Sequence, residues 1–192
     1  PIMTISSGIH VTYSNIVFRE FSPKHLLIEE DASLVFGDKT TIQLARDDEL
    51  TYPWYFEGFT IIKGGGSVLT FKDDGAFVIQ GENSVLMLDG ITLHGVSSER
   101  IRFLEASGKL RLKNVRIFLE DDWILDSGAL EITGEDTISG GWTLLYTTPN
   151  QSIVEADSNL IIARDTVLYY APVNKRRDGI VLADYSSALT IT

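Results

Sequence analysis

The chain of 192 residues predicts an all-β, three-sided solenoid, and three observations lead there. A short phrase recurs, a small residue followed by an apolar pair two positions apart: Ser84, Leu86, Leu88; Gly108, Leu110, Leu112; Gly128, Leu130, Ile132; Ser158, Leu160, Ile162; and Ser187, Leu189, Ile191. Apolar residues two apart line one face of a strand. The first leucines of successive copies lie 24, 20, 30 and 29 residues apart. That spacing suits coils of about 20 to 30 residues with variable loops, whereas hairpins return every ~8–12 residues. Within the tidiest interval, Lys109 to Gly128, three apolar stretches alternate with polar corners.

Taken in order, the elements start with Ile2 Met3 Thr4 Ile5, a strand of the repeat type. Leu34 and Phe36, then Ile42 and Leu44, form a two-strand phrase around the turn Gly37 Asp38 Lys39. Phe59 to Ile62, Val68 to Phe71 and Phe77 to Ile79 make the three strands of the next clear coil, with glycines 64 to 66 as a tight corner. The register before Ser84 is left open. Leu86, Leu88, Ile91 and Leu93 are followed by Ile101 to Leu104. In the coil from Lys109, Leu110 and Leu112 alternate with Arg111 and Lys113, and Asn114 permits a sharp turn. Val115 and Ile117 flank Arg116, Glu120 Asp121 Asp122 form a polar corner, and Trp123 to Leu125 close the coil. Stacked coils pair each strand with its equivalents at about 4.8 Å and bury the inward Leu, Ile, Val and Phe in one core.

Coil ends also rhyme. Leu104 Glu105 Ala106, Leu125 Asp126 Ser127, Val154 Glu155 Ala156 and Leu182 Ala183 Asp184 all join an apolar step to a carboxylate and a small residue. In one register these corners would form an exposed line of like charge. Arg111 and Glu131 fall one coil apart at equivalent positions, so an outward cross-coil ion pair is expected.

Composition narrows the class. Apolar residues make up 44% and prolines number only 5, which favours a packed domain over disorder. With 27 acidic and 16 basic residues the net charge is −11, which opposes binding to a phosphate backbone, so nucleic acid is not an expected partner. The cluster Lys175 Arg176 Arg177 reads as a solvated loop. No apolar run approaches the length of a membrane span. Without cysteine there is neither disulfide nor thiolate metal site, and the redox compartment stays open. An extracellular or cell-surface setting is favoured.

On these residues the chain resembles the right-handed parallel β-helix proteins, the pectin lyase-like fold group, over essentially all of its length. The resemblance implies one β-helix domain over 1-192; the uncapped strands at its two ends suggest either a segment of a longer chain or a subunit stacking end to end. That group includes polysaccharide lyases and hydrolases, phage tailspikes, and noncatalytic adhesin or surface modules. Its polygalacturonase-type hydrolases carry, in order, an Asn-Thr-Asp motif, an Asp-Asp pair, a His-Gly pair and an Arg-Ile-Lys triplet. Here His94 Gly95 precedes Asp121 Asp122, Asn-Thr-Asp is missing, and Arg100 Ile101 Arg102 only echoes the triplet. No catalytic residue is assigned. His10, His25 and His94 lack the spacing of a zinc site, no serine elbow occurs, and no cofactor or metal is expected.

Two features point to contacts. Aromatic side chains stack on sugar rings, so Tyr52, Trp54 and Tyr55, together with Trp142 and Tyr146, are candidates for a glycan or partner surface; the simpler reading of Tyr52, Trp54 and Phe56 is core filling at a wide coil. At the ends, Ile2, Met3 and Ile5 and then Leu189 and Ile191 lack polar caps, and open coil faces invite association. The expected function is a noncatalytic structural or adhesive solenoid module that self-associates end to end, with a polysaccharide-active enzyme or glycan-binding module as the alternative.

Overall fold

A computed structural model describes residues 2–173 and 179–192; the Lys175 Arg176 Arg177 cluster lies outside them. Among the described residues, 25 strands and one short 3-10 turn, Pro23–His25, follow one another. All strand pairing is parallel, and each partner lies three strands along the chain. The strands therefore sort onto three faces of a prism, a parallel β-solenoid with coils of about 24 residues.

The third face is continuous. It stacks eight strands, Val17–Phe21, Thr40–Leu44, Phe59–Lys63, Val85–Asp89, Lys109–Lys113, Ala129–Thr133, Ser152–Val154 and Ile180–Leu182. The other two are interrupted. On the first face Met3–Ile5 and Leu26–Ile28 pair with each other, and a separate seven-stranded sheet runs from Asp48–Leu50 to Ala188–Ile191. On the second face five strands from His10–Tyr13 to Ile101–Phe103 are followed by a sheet of three, Trp123–Leu125, Thr143–Tyr146 and Val167–Tyr170.

The coil read from Lys109 to Gly128 forms as Lys109–Lys113, Arg116–Leu119 and Trp123–Leu125. The earlier coil forms as Phe59–Lys63, Val68–Phe71 and Ala76–Ile79, its corner turned by Gly65 and Gly66 at φ 60° and 91°. One step of the repeat is corrected. Leu86, Leu110 and Leu130 share a column on the third face, but Leu160 and Leu189 pair with each other on the first face. The interval of 30 residues from Leu130 to Leu160 is thus one coil plus one further side. Ser152 takes the place above Leu130, its hydroxyl accepting the Leu130 N–H at 2.9 Å. The rhyming acidic corners split in the same way: Glu105 and Asp126 leave the second face, while Glu155 and Asp184 leave the third. The phrase encodes a local turn into a strand, and that turn works at either corner.

Inward residues stack on their own kind. On the first face Leu69, Leu93, Ile117, Ile138, Ile162 and Ile191 form one column. Trp54, Phe77 and Ile101 line the second face, beside Phe36, Phe56, Ile79 and Phe103. Corner side chains fasten coil to coil by accepting backbone N–H groups: Asp38 Oδ1 from Phe59 (3.1 Å), Asp47 Oδ1 from Val68 (2.8 Å), Ser158 Oγ from Gly134 (2.9 Å). Such bonds satisfy donors at corners, where the ladder breaks off.

Two carboxylates stand in apolar columns. Asp48 heads the Leu69 column where the first face is interrupted; the Ser22 hydroxyl donates to it and Lys24 Nζ lies 3.3 Å away. Asp136 sits in register with Leu160 and is fully buried. Its Oδ1 accepts the Val115 N–H at 2.6 Å, while its Oδ2 has no partner. Burial, with a smaller push from the Glu135 charge, raises its pKa to about 7.

Candidate functional site

Two clefts lie on the flank between the first and second faces. A cleft of about 480 Å³ is lined by Pro53, Asp73, Asp74, Glu99, Arg100 and Arg102. Next to it Ser97, Ser98, Glu99, Asp121, Asp122 and Ile124 enclose about 310 Å³, and Glu99 belongs to both. The smaller cleft sits where the second face is interrupted, between Ile101–Phe103 and Trp123–Leu125, and the larger runs along the strands Pro53–Phe56, Ala76–Ile79 and Ile101–Phe103 before it.

Several polar groups here are committed to the scaffold. The Arg100 guanidinium donates to the carbonyls of Asp73 (2.6 Å) and Gly75 (3.0 Å). Asp122 Oδ1 accepts the Thr143 N–H of the next coil at 2.8 Å, and its carbonyl accepts from the Ser98 hydroxyl at 2.9 Å. His94 is on the first face, not in these clefts, with its ring stacked on Phe118 at 4.5 Å. It borders a separate depression of about 450 Å³ with Lys24, Asp47, Asp48, Glu49 and Thr70. The structure therefore does not bring His94 Gly95, Asp121 Asp122 and Arg100 Ile101 Arg102 into one cleft. Among the described residues, no group of three or more His, Asp or Glu side chains is placed to hold a metal ion.

The candidate aromatic residues part company. Trp54 is wholly buried, 5.2 Å edge-on from Phe36 and stacked on Phe77 at 6.1 Å. Tyr146 is also buried; its hydroxyl donates to Asn150 O (3.1 Å) and lies 2.9 Å from Ser152 Oγ, and its ring stacks on Tyr170. Those two rings fill the core and present no face to a ligand. Tyr52 is half-buried and donates to Pro23 O at 2.9 Å; burial, with the Asp48 charge nearby, pushes its phenol up. Tyr55 is half-buried and alternates with the inward Trp54 and Phe56 on the strand Pro53–Phe56. Trp142 stands 44% exposed, next to the strand Thr143–Tyr146.

At the two ends Ile2, Met3 and Ile191 are exposed, Leu189 is half-buried and Ile5 is buried. The last coil encloses an apolar hollow of about 380 Å³ between Leu168, Tyr170, Ile180, Leu189 and Ile191.

A feature that the repeat reading passed over is an apolar outer surface on two flanks. On the second face Ile124, Leu145 and Tyr169 form an outward column. On the third, Ile61 and Met87 are paired outward neighbours, beside Phe59 and Val85. The signal was present: runs such as Trp123-Ile124-Leu125 and Val85-Leu86-Met87-Leu88 are apolar on every residue, which in a strand places apolar groups on both sides. Further along the third face the expected ion pair forms. Arg111 donates to Glu131 at 2.5 and 2.8 Å, and Lys109 joins at 2.7 Å. Burial disfavours the charged carboxylate, yet the two cations hold its pKa below the ordinary value.

Comparison of the chain with protein-family models, with curated proteins and with solved structures finds no match.

Proposed function

We propose that this chain is a noncatalytic structural or adhesive β-solenoid module that self-associates end to end through its terminal coils. The observation that carries this reading is the apolar hollow of the last coil. A parallel coil from a second copy, laid on that surface, would cover Leu168, Ile180, Leu189 and Ile191. It would also pair the outer edges of Ile180–Leu182 and Ala188–Ile191, which end their sheets. Further support comes from the polar residues that resemble catalytic pairs, since Asp122 and Arg100 spend their hydrogen bonds on coil-to-coil contacts. Light scattering with negative-stain imaging across a concentration series tests the reading. Stacked rods that Ile191→Glu abolishes are expected; a wild-type monomer at high concentration overturns it.

The alternative, a polysaccharide-active or glycan-binding module, is favoured by one observation. The 480 Å³ flank cleft sets Arg102 among Asp73, Asp74 and Glu99, on the face that carries Tyr55. Release of reducing ends from a polysaccharide, or retention of the monomer in a polysaccharide gel, would establish it.

A further inference from the structure

Two flanks of this molecule match each other. On the third face the half-buried outward residues Phe59, Ile61, Val85 and Met87 form an apolar area. Directly beyond it the same sheet carries Lys63, Lys109, Arg111 and Lys113 against only Asp89 and Glu131. The area is apolar and, on a chain of net charge −11, locally basic. On the second face Ile124, Leu145 and Tyr169 form a second apolar area next to the exposed Trp142. Its border is the corner bearing Glu99, Glu120, Asp121 and Asp122, and among the described residues none of these four carboxylates is in an ion pair.

We propose that copies of this chain associate side by side, the apolar and acidic flank of one docking on the apolar and basic flank of the next. The inference rests on the structural, self-associating reading but uses surfaces distinct from the ends. Charge complementarity selects the occupant. Most orientations of two strongly acidic molecules repel, and bringing Glu99, Asp121 and Asp122 toward Lys63, Lys109 and Arg111 is the orientation in which opposite charges meet around an apolar centre. Lys63 has no ion-pair partner among the described residues, and Lys109 and Arg111 share one carboxylate, so cationic charge is left over for a partner. Because the two areas differ, the contact is heterologous. Each copy keeps one free surface of each kind, and the assembly grows instead of closing as a dimer.

Sedimentation velocity of the 192-residue chain at low salt, with Met87→Glu and Ile124→Glu, tests this. Each substitution lies on an outward position, and circular dichroism checks that the fold is kept; Met87→Ser and Ile124→Ser serve if a glutamate variant does not fold. The comparison is made in an Ile191→Glu background, which removes end-to-end stacking: that chain is expected as a ladder of masses, and with Met87→Glu or Ile124→Glu added as a monomer. An equimolar mixture of the two doubly substituted chains is expected to form a one-to-one dimer and nothing larger, since each retains the surface the other lacks. A ladder that persists with Ile191→Glu separates this contact from end-to-end stacking. A mixture that stays monomeric, Met87→Glu or Ile124→Glu chains that assemble like their parent, or no ladder in the Ile191→Glu background overturns the proposal. So does a Trp142→Ser variant that loses retention in a polysaccharide gel while its mass distribution is unchanged, for that result would make the flank a glycan site.

Discussion

The early and late coils solve the same packing problem with different side chains. From Tyr13 to Phe77 the core is a continuous set of rings: Phe18 meets Phe36 edge-on at 5.8 Å, Phe36 meets Trp54 at 5.2 Å, Phe56 meets Phe77 at 5.3 Å, and Phe71 meets Phe77 at 4.9 Å. From Leu86 onward aliphatic columns dominate, with Leu86, Leu110 and Leu130 on one line and Leu93, Ile117, Ile138 and Ile162 on another. An aliphatic column is a near-identical contact repeated coil by coil, so each layer can be exchanged separately. Rings interlock across layers at fixed angles, and the loss of one is felt by its neighbours above and below. The interruption of the first face at Asp48 lies within the aromatic half.

The largest expected effect tests that contrast directly. Trp54→Ala removes a ring touching Phe21, Phe36, Phe56 and Phe77 and should cost about 3–5 kcal/mol. Ile138→Val, in the aliphatic half, should cost about 0.5–1.5 kcal/mol. Urea denaturation measures both, and hydrogen exchange should show the Trp54→Ala loss spread over the neighbouring coils but the Ile138→Val loss confined to its own.

Next comes the buried acid of the aliphatic half. Asp136 titrates near pH 7 when folded, against 3.8 as the ordinary value, so the folded state holds a proton that the unfolded chain gives up between those limits. Stability is full below about pH 4, falls as pH rises and is lost above pH 7, by about 4 kcal/mol if the whole shift is expressed. Asp136→Asn keeps an oxygen for the Val115 N–H and should flatten this profile; denaturation midpoints at pH 4.5 and 8 decide it.

A smaller effect is expected at Gly128, which has φ 68° and where a Cβ would overlap the Phe103 ring. Gly128→Ala should cost about 1–3 kcal/mol through strain and overpacking, read from the melting temperature. Smallest is the Glu131 network. Glu131 is held ionised below its ordinary pKa by Lys109 and Arg111, so its contribution is present above about pH 4.5 and lost as pH falls through the lowered value. Lys109 and Arg111 remain partly solvated, and a double-mutant cycle on Arg111 and Glu131 should give about 1 kcal/mol.

Much of this could be read along the chain. The three strands from Lys109 to Gly128, the three from Phe59 to Ile79 and the pairing of Arg111 with Glu131 all follow from alternation and short turns, which are local. Alternation along Tyr52, Trp54 and Phe56 suggested core filling, and Trp54 and Phe56 are buried on the strand Pro53–Phe56 while Tyr52, before it, is half-buried. Trp142 lies in the corner before the strand Thr143–Tyr146, and its exposure follows from that corner, since two-residue alternation carried back from Leu144 and Tyr146 would have pointed it inward. The apolar flanks were legible too, since a strand with no polar alternate has no solvated side, but a search for inward pairs looks past the residues between them.

By itself the sequence determined that this protein is a stack of short parallel strands on turns of Gly, Ser, Asn and Asp, because two-residue alternation and left-handed turn positions act over a few residues. Which face each strand joins was decided only in the tertiary structure. The turn before Leu130 and the turn before Leu160 are chemically alike, and what separates them is the coil already in place beneath, whose open edge accepts one strand at Leu112 and the other at Ile138. The same neighbours decided that Asp136 would lie in the dark between Val115 and Leu160, where no local rule places an acid.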